Sequence, residues 1–247
     1  MTYKYQKKGL HFDVDTDGTL LDNLISYHSF RESVGNRVDA MGSFNMTSSN
    51  RVYSSKTSLF NGHCADFEIS DSSYLISTGS NASNLTPSGT QDFSICGWFK
   101  PESSGVHMMI ASQYNSPSNH RRWILAVHST DVLWVHKADA DGTYGKDVLT
   151  SDTITAGTWH FVYAYWDMDV GAGVSLDNGT IATGAHTENM KAATGDLVIG
   201  AYDSGNLRFD GLMGQWCMWH KILSAQEVTD MYNSGAANRL IGWDIPN

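Results

Sequence analysis

The chain has 247 residues, of which 41% are hydrophobic and 17% are charged, a composition typical of a folded globular protein with a polar surface. Its formal net charge of −10 argues against a nucleic-acid-binding surface, because such a surface needs clustered lysine and arginine. No apolar run approaches the roughly 18 residues of a membrane-spanning helix, so we expect no insertion into a membrane.

The first 23 residues form a polar leader with an acidic turn, Asp13-Val-Asp15-Thr-Asp17-Gly18. Oxygen ligands at positions 1, 3 and 5 and a glycine at position 6 match the start of a calcium-binding loop. An EF-hand needs a bidentate glutamate at position 12, where Leu24 stands, so the EF-hand interpretation fails. Two interpretations stay open: a weak Ca²⁺ site at Asp13, Asp15 and Asp17 completed by a remote carboxylate, or a solvated acidic turn.

After the leader, the pattern predicts many short strands separated by turns that are rich in glycine, serine and asparagine. A loop is expected at Asn81–Thr90. Residues 24–48 are predicted to form a strand, a turn around Gly35 and a polar loop. Further strands are predicted at Cys64–Phe67, 74–76, Phe93–Phe99, His107–Gln113, Arg122–His128, Val132–Lys137, Thr158–Trp166, Gly173–Leu176, Asp196–Tyr202 and Arg208–Trp219. Short strands with turn signals every 8–12 residues indicate an antiparallel sandwich or jelly roll.

The segment Thr158–Trp166 has the clearest alternation of side chains. Odd-numbered residues from Trp159 to Tyr165 should face one way, and even-numbered residues from His160 to Trp166 should face the other. Because both sets are largely apolar, we expect a central strand that is covered on both faces.

One helix is predicted, over residues 225–234. Ser224 is placed at the N-cap and Glu227 three residues later, the arrangement of a capping box. Gly235 suits the left-handed position that ends a helix. Val228, Met231 and Tyr232 form an apolar stripe, so the helix should pack on the outside of a sheet.

Three cysteines, Cys64, Cys96 and Cys217, lie in strand-like apolar settings. Buried free thiols are a better interpretation than a disulfide framework, and they suit a protein that is assembled in a reducing compartment. The N-terminal residues contain no apolar h-region, so no signal peptide is expected.

The order of these segments resembles that of the laminin-G-like, concanavalin A-like jelly rolls, a family that also includes the pentraxins. The resemblance is carried by residues 24–42 (LISYHSFRESVGNRVDAMG), 93–100 (FSICGWFK), 158–162 (TWHFV), 197–200 (LVIG) and 211–235. It implies an all-β, concanavalin A-like jelly-roll sandwich of two antiparallel sheets with one short C-terminal helix. The implied domains are a leader or assembly segment at 1–23, the jelly roll at 24–236 and a tail at 237–247.

The resemblance also bears on calcium and on catalysis. Gly214 stands where family members often carry an aspartate that helps to hold a structural calcium, which leaves Asp39 as a remaining ligand. Glucanases of this superfamily carry strand-borne acids in a Glu-x-Asp-x-x-Glu pattern, and the chain contains no such run. We therefore expect a protein without enzymatic activity, and a glycoside hydrolase is the less favoured alternative.

Eight tryptophans and eleven tyrosines supply aromatic rings on which a sugar could stack. Most lie within strands at a spacing of two and should belong to the core. Strand alternation selects four tryptophans as candidate outward-facing ligand-binding residues: Trp123, Trp134, Trp166 and Trp219.

Two hypotheses for the function remain. An extracellular type of fold combined with free thiols and no export signal suggests a bacteriophage virion surface protein, either a capsid decoration protein or a tail adhesin. Its partners would be other virion proteins or further copies of the chain in a homo-oligomer, with host or environmental polysaccharide as a ligand. The alternative is a secreted or surface carbohydrate-binding module in an extracellular location.

Overall fold

The structure, a computed structural model, describes residues 9–33, 35–42, 44–57, 59, 62–78, 80–85, 90–115, 120–142, 145–191, 195–202 and 206–241. Its strands are β1 His11–Phe12, β2 Leu24–His28, β3 Thr47–Ser49, β4 Tyr53–Thr57, β5 Gly62–Phe67, β6 Tyr74–Ser77, β7 Phe93–Pro101, β8 Met108–Asn115, β9 His120–Val127, β10 Leu133–Ala138, β11 Gly145–Leu149, β12 His160–Asp167, β13 Gly171–Leu176, β14 Ala182–Ala185, β15 Leu197–Ile199, β16 Gly211–Trp219 and β17 Leu240–Ile241. The helices are α1 Ser80–Leu85 and α2 Ala225–Tyr232.

Two antiparallel sheets form the sandwich, which confirms the predicted fold class. The seven-stranded sheet has the order β11-β10-β9-β8-β15-β6-β3. The eight-stranded sheet has the order β14-β13-β12-β7-β16-β5-β4, with β2 also paired to β16. The short strands β1 and β17 pair separately and bring the described parts of the two chain ends together.

The main hydrophobic core lies between the two sheets, and β12 shows how the chain fills it. Val162, Ala164 and Trp166 belong to this inter-sheet core, whereas Phe161 and Tyr163 belong to a second cluster on the outer face of the eight-stranded sheet. Strand β12 lies between β13 and β7. The predicted central strand with two covered faces is thus confirmed.

The second cluster is covered by the N-terminal segment and by helix α2. Phe12 and Leu20 from the N-terminal segment pack there together with Val228 and Met231 of α2. Phe12 stacks on Trp219 with ring centroids 6.5 Å apart. The described parts of the predicted leader and tail therefore lie against the sandwich, while the proposed domain boundaries stay a prediction.

Helix α2 begins as predicted. The Ser224 side chain accepts a hydrogen bond from the Glu227 backbone N–H, and the Glu227 side chain accepts one from the Ser224 backbone, so the capping box is confirmed. The helix ends two residues earlier than predicted, because Asn233 and Ser234 already have left-handed backbone angles with φ of 44° and 54°. Glu227 also accepts a hydrogen bond from Thr19 Oγ1 at 2.6 Å, which fastens the N-terminal segment to the helix.

Some elements were not predicted. Helix α1 occupies part of the predicted Asn81–Thr90 loop, and its Ala82 and Leu85, three residues apart, are both buried in the inter-sheet core. Strands β11 and β14 were also missed. Both lie at sheet edges and expose at least half of their side chains, so their sequences carry little apolar periodicity.

The predicted burial of all three cysteines is confirmed, and all three are free thiols. Burial raises the pKa of Cys64 to about 12 and raises those of Cys96 and Cys217 well above their ordinary value. The thiols therefore behave as small apolar core groups. In the part of the chain that the structure describes, none of the helices is long and apolar enough to cross a membrane.

Candidate functional site

The structure contradicts the expected placement of three of the four candidate ligand-binding tryptophans. Trp123, Trp166 and Trp219 are all 0% exposed, so their expected outward placement is wrong and they offer no surface for stacking a sugar. Trp134 is the exception, since it is half-buried and lies on the outer face of the seven-stranded sheet.

Each buried tryptophan has a structural partner. Trp166 stacks on Phe93 with ring centroids 4.8 Å apart and lies 4.9 Å from Trp123, and all three rings belong to the inter-sheet core. Trp219 donates from Nε1 to the Leu20 carbonyl at 2.7 Å, underneath the N-terminal segment. Strand alternation separates the two faces of a strand but does not say which face another layer of the protein covers.

Around Trp134 the outer face of the seven-stranded sheet carries a cluster of aromatic and polar side chains, which we call the aromatic platform. Its floor is the buried apolar cluster of Met109, Ile124 and Ala126. Its members above and around this floor are His107, Tyr114, His128, Trp134, His136, Asp147 and Tyr202.

The register of β10 and β11 places the centre of the platform. On β10, Leu133 and Val135 are buried in the inter-sheet core, so Trp134 and His136 point to the other face. Across the strand pair, His136 lies opposite Asp147. Trp134 lies opposite Leu149, which is 41% exposed and extends the apolar surface to the sheet edge.

Asp147 holds the two outward rings of β10. Its Oδ1 accepts hydrogen bonds from Trp134 Nε1 at 2.9 Å and from His136 Nδ1 at 2.7 Å. Because His136 donates through Nδ1, the neutral imidazole keeps its lone pair on Nε2. Gly145 leaves room for the ring, since a Cβ built there would lie 2.6 Å from His136 Cε1. The polar centre is thus fixed before any ligand arrives.

Two histidines pack against Trp134 at one end of the platform. The rings of His107 and His128 meet edge to face with centroids 4.5 Å apart, and Trp134 lies 5.8 Å from His107 and 6.1 Å from His128. Burial, with a smaller contribution from His128, lowers the pKa of His107. Among the described residues, none is within hydrogen-bonding distance of the buried Nδ1 of His107.

Two tyrosines form the other end. Tyr114 lies 5.3 Å from Tyr202 and packs edge to face on His136 at 5.7 Å, measured between ring centroids. Burial raises the pKa of Tyr114, so its hydroxyl is neutral at physiological pH and can donate or accept a hydrogen bond. The platform therefore offers ring faces beside hydroxyl, imidazole and carboxylate groups.

Trp134 is the one member of this site that was predicted from the sequence. The alternation along Leu133–Ala138 also puts His136 on the same face, a signal that could have identified this histidine but was not used. Asp147 lies on an edge strand that was not predicted, although Asp141-Gly142 between β10 and β11 is a hairpin signal that could have paired the two strands.

The acidic turn of the N-terminal segment has structural partners. Asp15 Oδ1 accepts from the backbone N–H groups of Thr19 and Leu20 at 3.0 and 3.3 Å, and Asp13 pairs with Arg239 at 3.1 Å. Within the described residues there is no group of three side chains that could hold a metal ion. Asp13, Asp15 and Asp17 are thus not brought together, and Ca²⁺ binding stays a prediction.

Asp39, the remaining family calcium ligand considered above, is nearly fully buried. Its carboxylate accepts backbone hydrogen bonds from Tyr27 at 2.9 Å, Met41 at 3.0 Å and Phe44 at 3.1 Å. These bonds satisfy most of its acceptor capacity, so Asp39 organises the loop that follows it.

We expect Asp15→Ala to lower the free energy of unfolding by about 1 kcal/mol, because two turn N–H groups lose their acceptor. Asp15→Asn keeps an oxygen at this position and should cost less. Thermal melts of the three proteins with calcium and with chelator measure both effects. A rise in native melting temperature with calcium that Asp15→Asn abolishes would contradict a purely structural role and support the predicted metal site.

Comparison with known sequences identifies a family. The family model described as the concanavalin A-like lectin/glucanases superfamily, Laminin_G_3, matches residues 70–229, which is more than half of the chain. No curated protein sequence matches the chain.

Solved structures with a similar fold include domain 4 of AbnA, a GH43 extracellular arabinanase from Geobacillus stearothermophilus, in complex with arabinotriose. It is 17% identical with a TM-score of 0.66, over 85% of this chain and 98% of that one. The binding domain of Paraclostridial Mosquitocidal Protein 1 is 15% identical with a TM-score of 0.71, over 87% of this chain and 53% of that one. The binding domain of botulinum neurotoxin DC in complex with SialylT is 14% identical with a TM-score of 0.64, over 87% of this chain and 52% of that one.

At these levels of identity the likeness is one of fold. The chain spans nearly all of the arabinanase domain but only about half of each toxin binding domain.

Proposed function

The chain belongs to the concanavalin A-like lectin/glucanase superfamily, and we propose that it is a non-enzymatic, lectin-like domain that binds a glycan on the aromatic platform. The observation that carries this proposal is the cluster itself. Trp134 is half-buried on an outer sheet face, with its indole N–H held by Asp147 and with His136 and two tyrosines beside it.

The chemistry of the platform suits a sugar ring. One face of a pyranose or furanose presents C–H groups that pack on an aromatic face, while its hydroxyls need hydrogen-bond partners at the ring margin. Trp134 and the tyrosines supply the aromatic surface. Asp147, His136 and the Tyr114 hydroxyl supply partners, and the hydrogen bonds that hold Trp134 and His136 reduce the entropy lost on binding.

Structural relatives support the same class of ligand. The arabinanase domain was solved with arabinotriose, and the neurotoxin binding domain was solved with SialylT. The neurotoxin structure is described as a binding domain, which supports a binding role over a catalytic one.

A non-enzymatic role is also supported by the charges on the platform. Hydrolysis of a glycosidic bond ordinarily needs two carboxyl groups, about 5–5.5 Å apart in retaining enzymes and about 6.5–9.5 Å apart in inverting enzymes. Of the residues that define the platform, Asp147 is the one acid, and its Oδ1 already accepts two hydrogen bonds. This arrangement suits binding rather than bond cleavage.

A glycan panel with native protein and Trp134→Ala tests the proposal. We expect the native protein to bind at least one oligosaccharide, and we expect Trp134→Ala to weaken that binding by about tenfold or more through loss of the stacking surface. Titration calorimetry on the selected oligosaccharide gives the affinities. Because Trp134 lies at the surface, its replacement should leave the melting temperature within a few degrees of the native value.

Tyr53→Ala is the matched control, since Tyr53 is a half-buried aromatic residue on edge strand β4 of the other sheet. Its replacement should leave the glycan affinity unchanged. Absence of glycan binding by the native protein, or equal binding by native protein and Trp134→Ala, contradicts the proposal.

For location we propose the surface of a bacteriophage virion, with other virion proteins or further copies of the chain as partners. Three buried free thiols support synthesis and folding in a reducing compartment, as expected for a particle protein that reaches the outside at lysis. Cross-linking mass spectrometry on intact particles tests this location. Recovery of the protein from culture medium without particles would favour the alternative, a secreted carbohydrate-binding module.

A further inference from the structure

The carboxylate of Asp147 is only partly used by the protein. Its Oδ1 accepts both hydrogen bonds from β10, whereas no donor among the described residues reaches Oδ2. The side chain is 56% exposed, compared with 15% for His136. The Oδ2 oxygen therefore faces solvent beside the Trp134 ring, and the two hydrogen bonds to Oδ1 hold it in place.

The basic residue next to Asp147 in the sequence does not share its face of the sheet. Lys146 points to the opposite face, since a Cβ built at Gly184 on β14 would lie 3.1 Å from Lys146 Cγ and Cε. Arg121 lies toward the tyrosine end and donates to the Gly142 carbonyl at 3.4 Å. Asp147 is therefore the one acidic side chain among the residues that define the platform, on a chain whose total charge is −10.

We propose that Asp147 makes the platform select glycans by charge, so that it accepts neutral and amine-bearing sugars and disfavours carboxylated ones. This inference rests on the proposed function, because it names the class of sugar that the same site takes. A hydroxyl or amino group donates to Oδ2 of Asp147 while the sugar face packs on Trp134. A sugar carboxylate at that position meets a like charge and brings no proton for the bond.

The test uses three oligosaccharides of equal length and linkage: a neutral gluco-oligosaccharide, its 2-amino counterpart and its C6-carboxylate counterpart. Binding to native protein, Asp147→Asn and Trp134→Ala is measured at about pH 8, where imidazole side chains are ordinarily neutral. Asparagine keeps an oxygen that accepts from Trp134 and His136 and removes only the charge. Asp169→Asn, at an exposed acid in the turn between β12 and β13, is the control for total charge.

We expect the native protein to bind the amine-bearing and neutral sugars at least about tenfold more tightly than the carboxylated one, and Asp147→Asn to remove most of that difference. Raising the salt concentration should weaken the preference, because the carboxylate is partly exposed. The Asp169→Asn control should keep the preference of the native protein for the neutral and amine-bearing sugars.

Equal native affinity for the neutral and carboxylated sugars, or a preference that persists in Asp147→Asn, overturns the inference. In both cases the proposed function survives if Trp134→Ala still weakens binding by about tenfold or more. If the native protein binds none of the three probes and no member of the wider panel, the proposed function fails together with the inference.

Discussion

Trp166→Ala is expected to lower the free energy of unfolding by about 3–5 kcal/mol, the usual range for removal of a large buried aromatic side chain. Trp166 is 0% exposed and fills the inter-sheet core between Phe93 and Trp123. The alanine variant would lose the ring contacts with Phe93 and Trp123 and would leave a cavity between the sheets. Its Nε1 also donates to the His136 carbonyl at 3.0 Å, a bond that joins the eight-stranded sheet to the seven-stranded sheet.

Urea-induced unfolding followed by tryptophan fluorescence and circular dichroism measures the loss. Trp166→Phe is the matched variant, because it keeps a ring in the stack and removes the indole N–H together with part of the volume. It should cost clearly less than alanine.

The same two variants also distinguish a residue of the core from a residue of the binding site. Since the bond from Trp166 ends on the backbone of His136, folded Trp166→Phe should retain most glycan affinity, in contrast to Trp134→Ala. An unfolding free energy of Trp166→Ala within 1 kcal/mol of native protein would mean that the ring does not lie in the core.

Lys137→Met is expected to lower the free energy of unfolding by about 2–4 kcal/mol, because bonds from a charged donor are strong and buried acceptors without partners are costly. Lys137 is 0% exposed. Its Nζ donates to the carbonyls of Asp167 at 2.7 Å, Met168 at 3.3 Å and His186 at 2.6 Å. One ammonium group thereby fixes the turn after β12 to the segment after β14.

Methionine fills a similar volume, so the measured loss reports the hydrogen bonds rather than a cavity. Lys146→Met is the matched control on the neighbouring strand, where the lysine is exposed, and its effect should stay within about 0.5 kcal/mol. A Lys137→Met variant as stable as the native protein would contradict this prediction. It would mean that water replaces the ammonium group as the donor to the three carbonyls.

Local sequence signals predicted the elements that depend on local contacts. The capping box of α2 needs only Ser224 and Glu227, three residues apart, and both hydrogen bonds formed as expected. The early end of α2 also has a local cause, because Asn233 tolerates the left-handed conformation and adopts it before Gly235 is reached. The α1 helix was missed because its burial depends on the inter-sheet core rather than on a capping signal.

The candidate site was predictable only in part. Strand alternation selected Trp134, and it also puts His136 on the same face, although His136 was not selected. The third member of the polar centre, Asp147, comes from edge strand β11, whose exposed residues carry little apolar periodicity. The register of the β10–β11 pair therefore decided which acid meets the two rings.

The sequence by itself determined the alternating strands, the capped helix and the burial of the cysteines, because each depends on periodicity or on contacts a few residues apart. Only the tertiary structure decided which tryptophans are exposed. Trp166 and Trp134 both alternate with apolar neighbours, but the face of β12 that carries Trp166 packs against the other sheet. The face of β10 that carries Trp134 is left uncovered by the described chain. A strand pattern defines two faces, whereas the packing of layers determines which of them meets water.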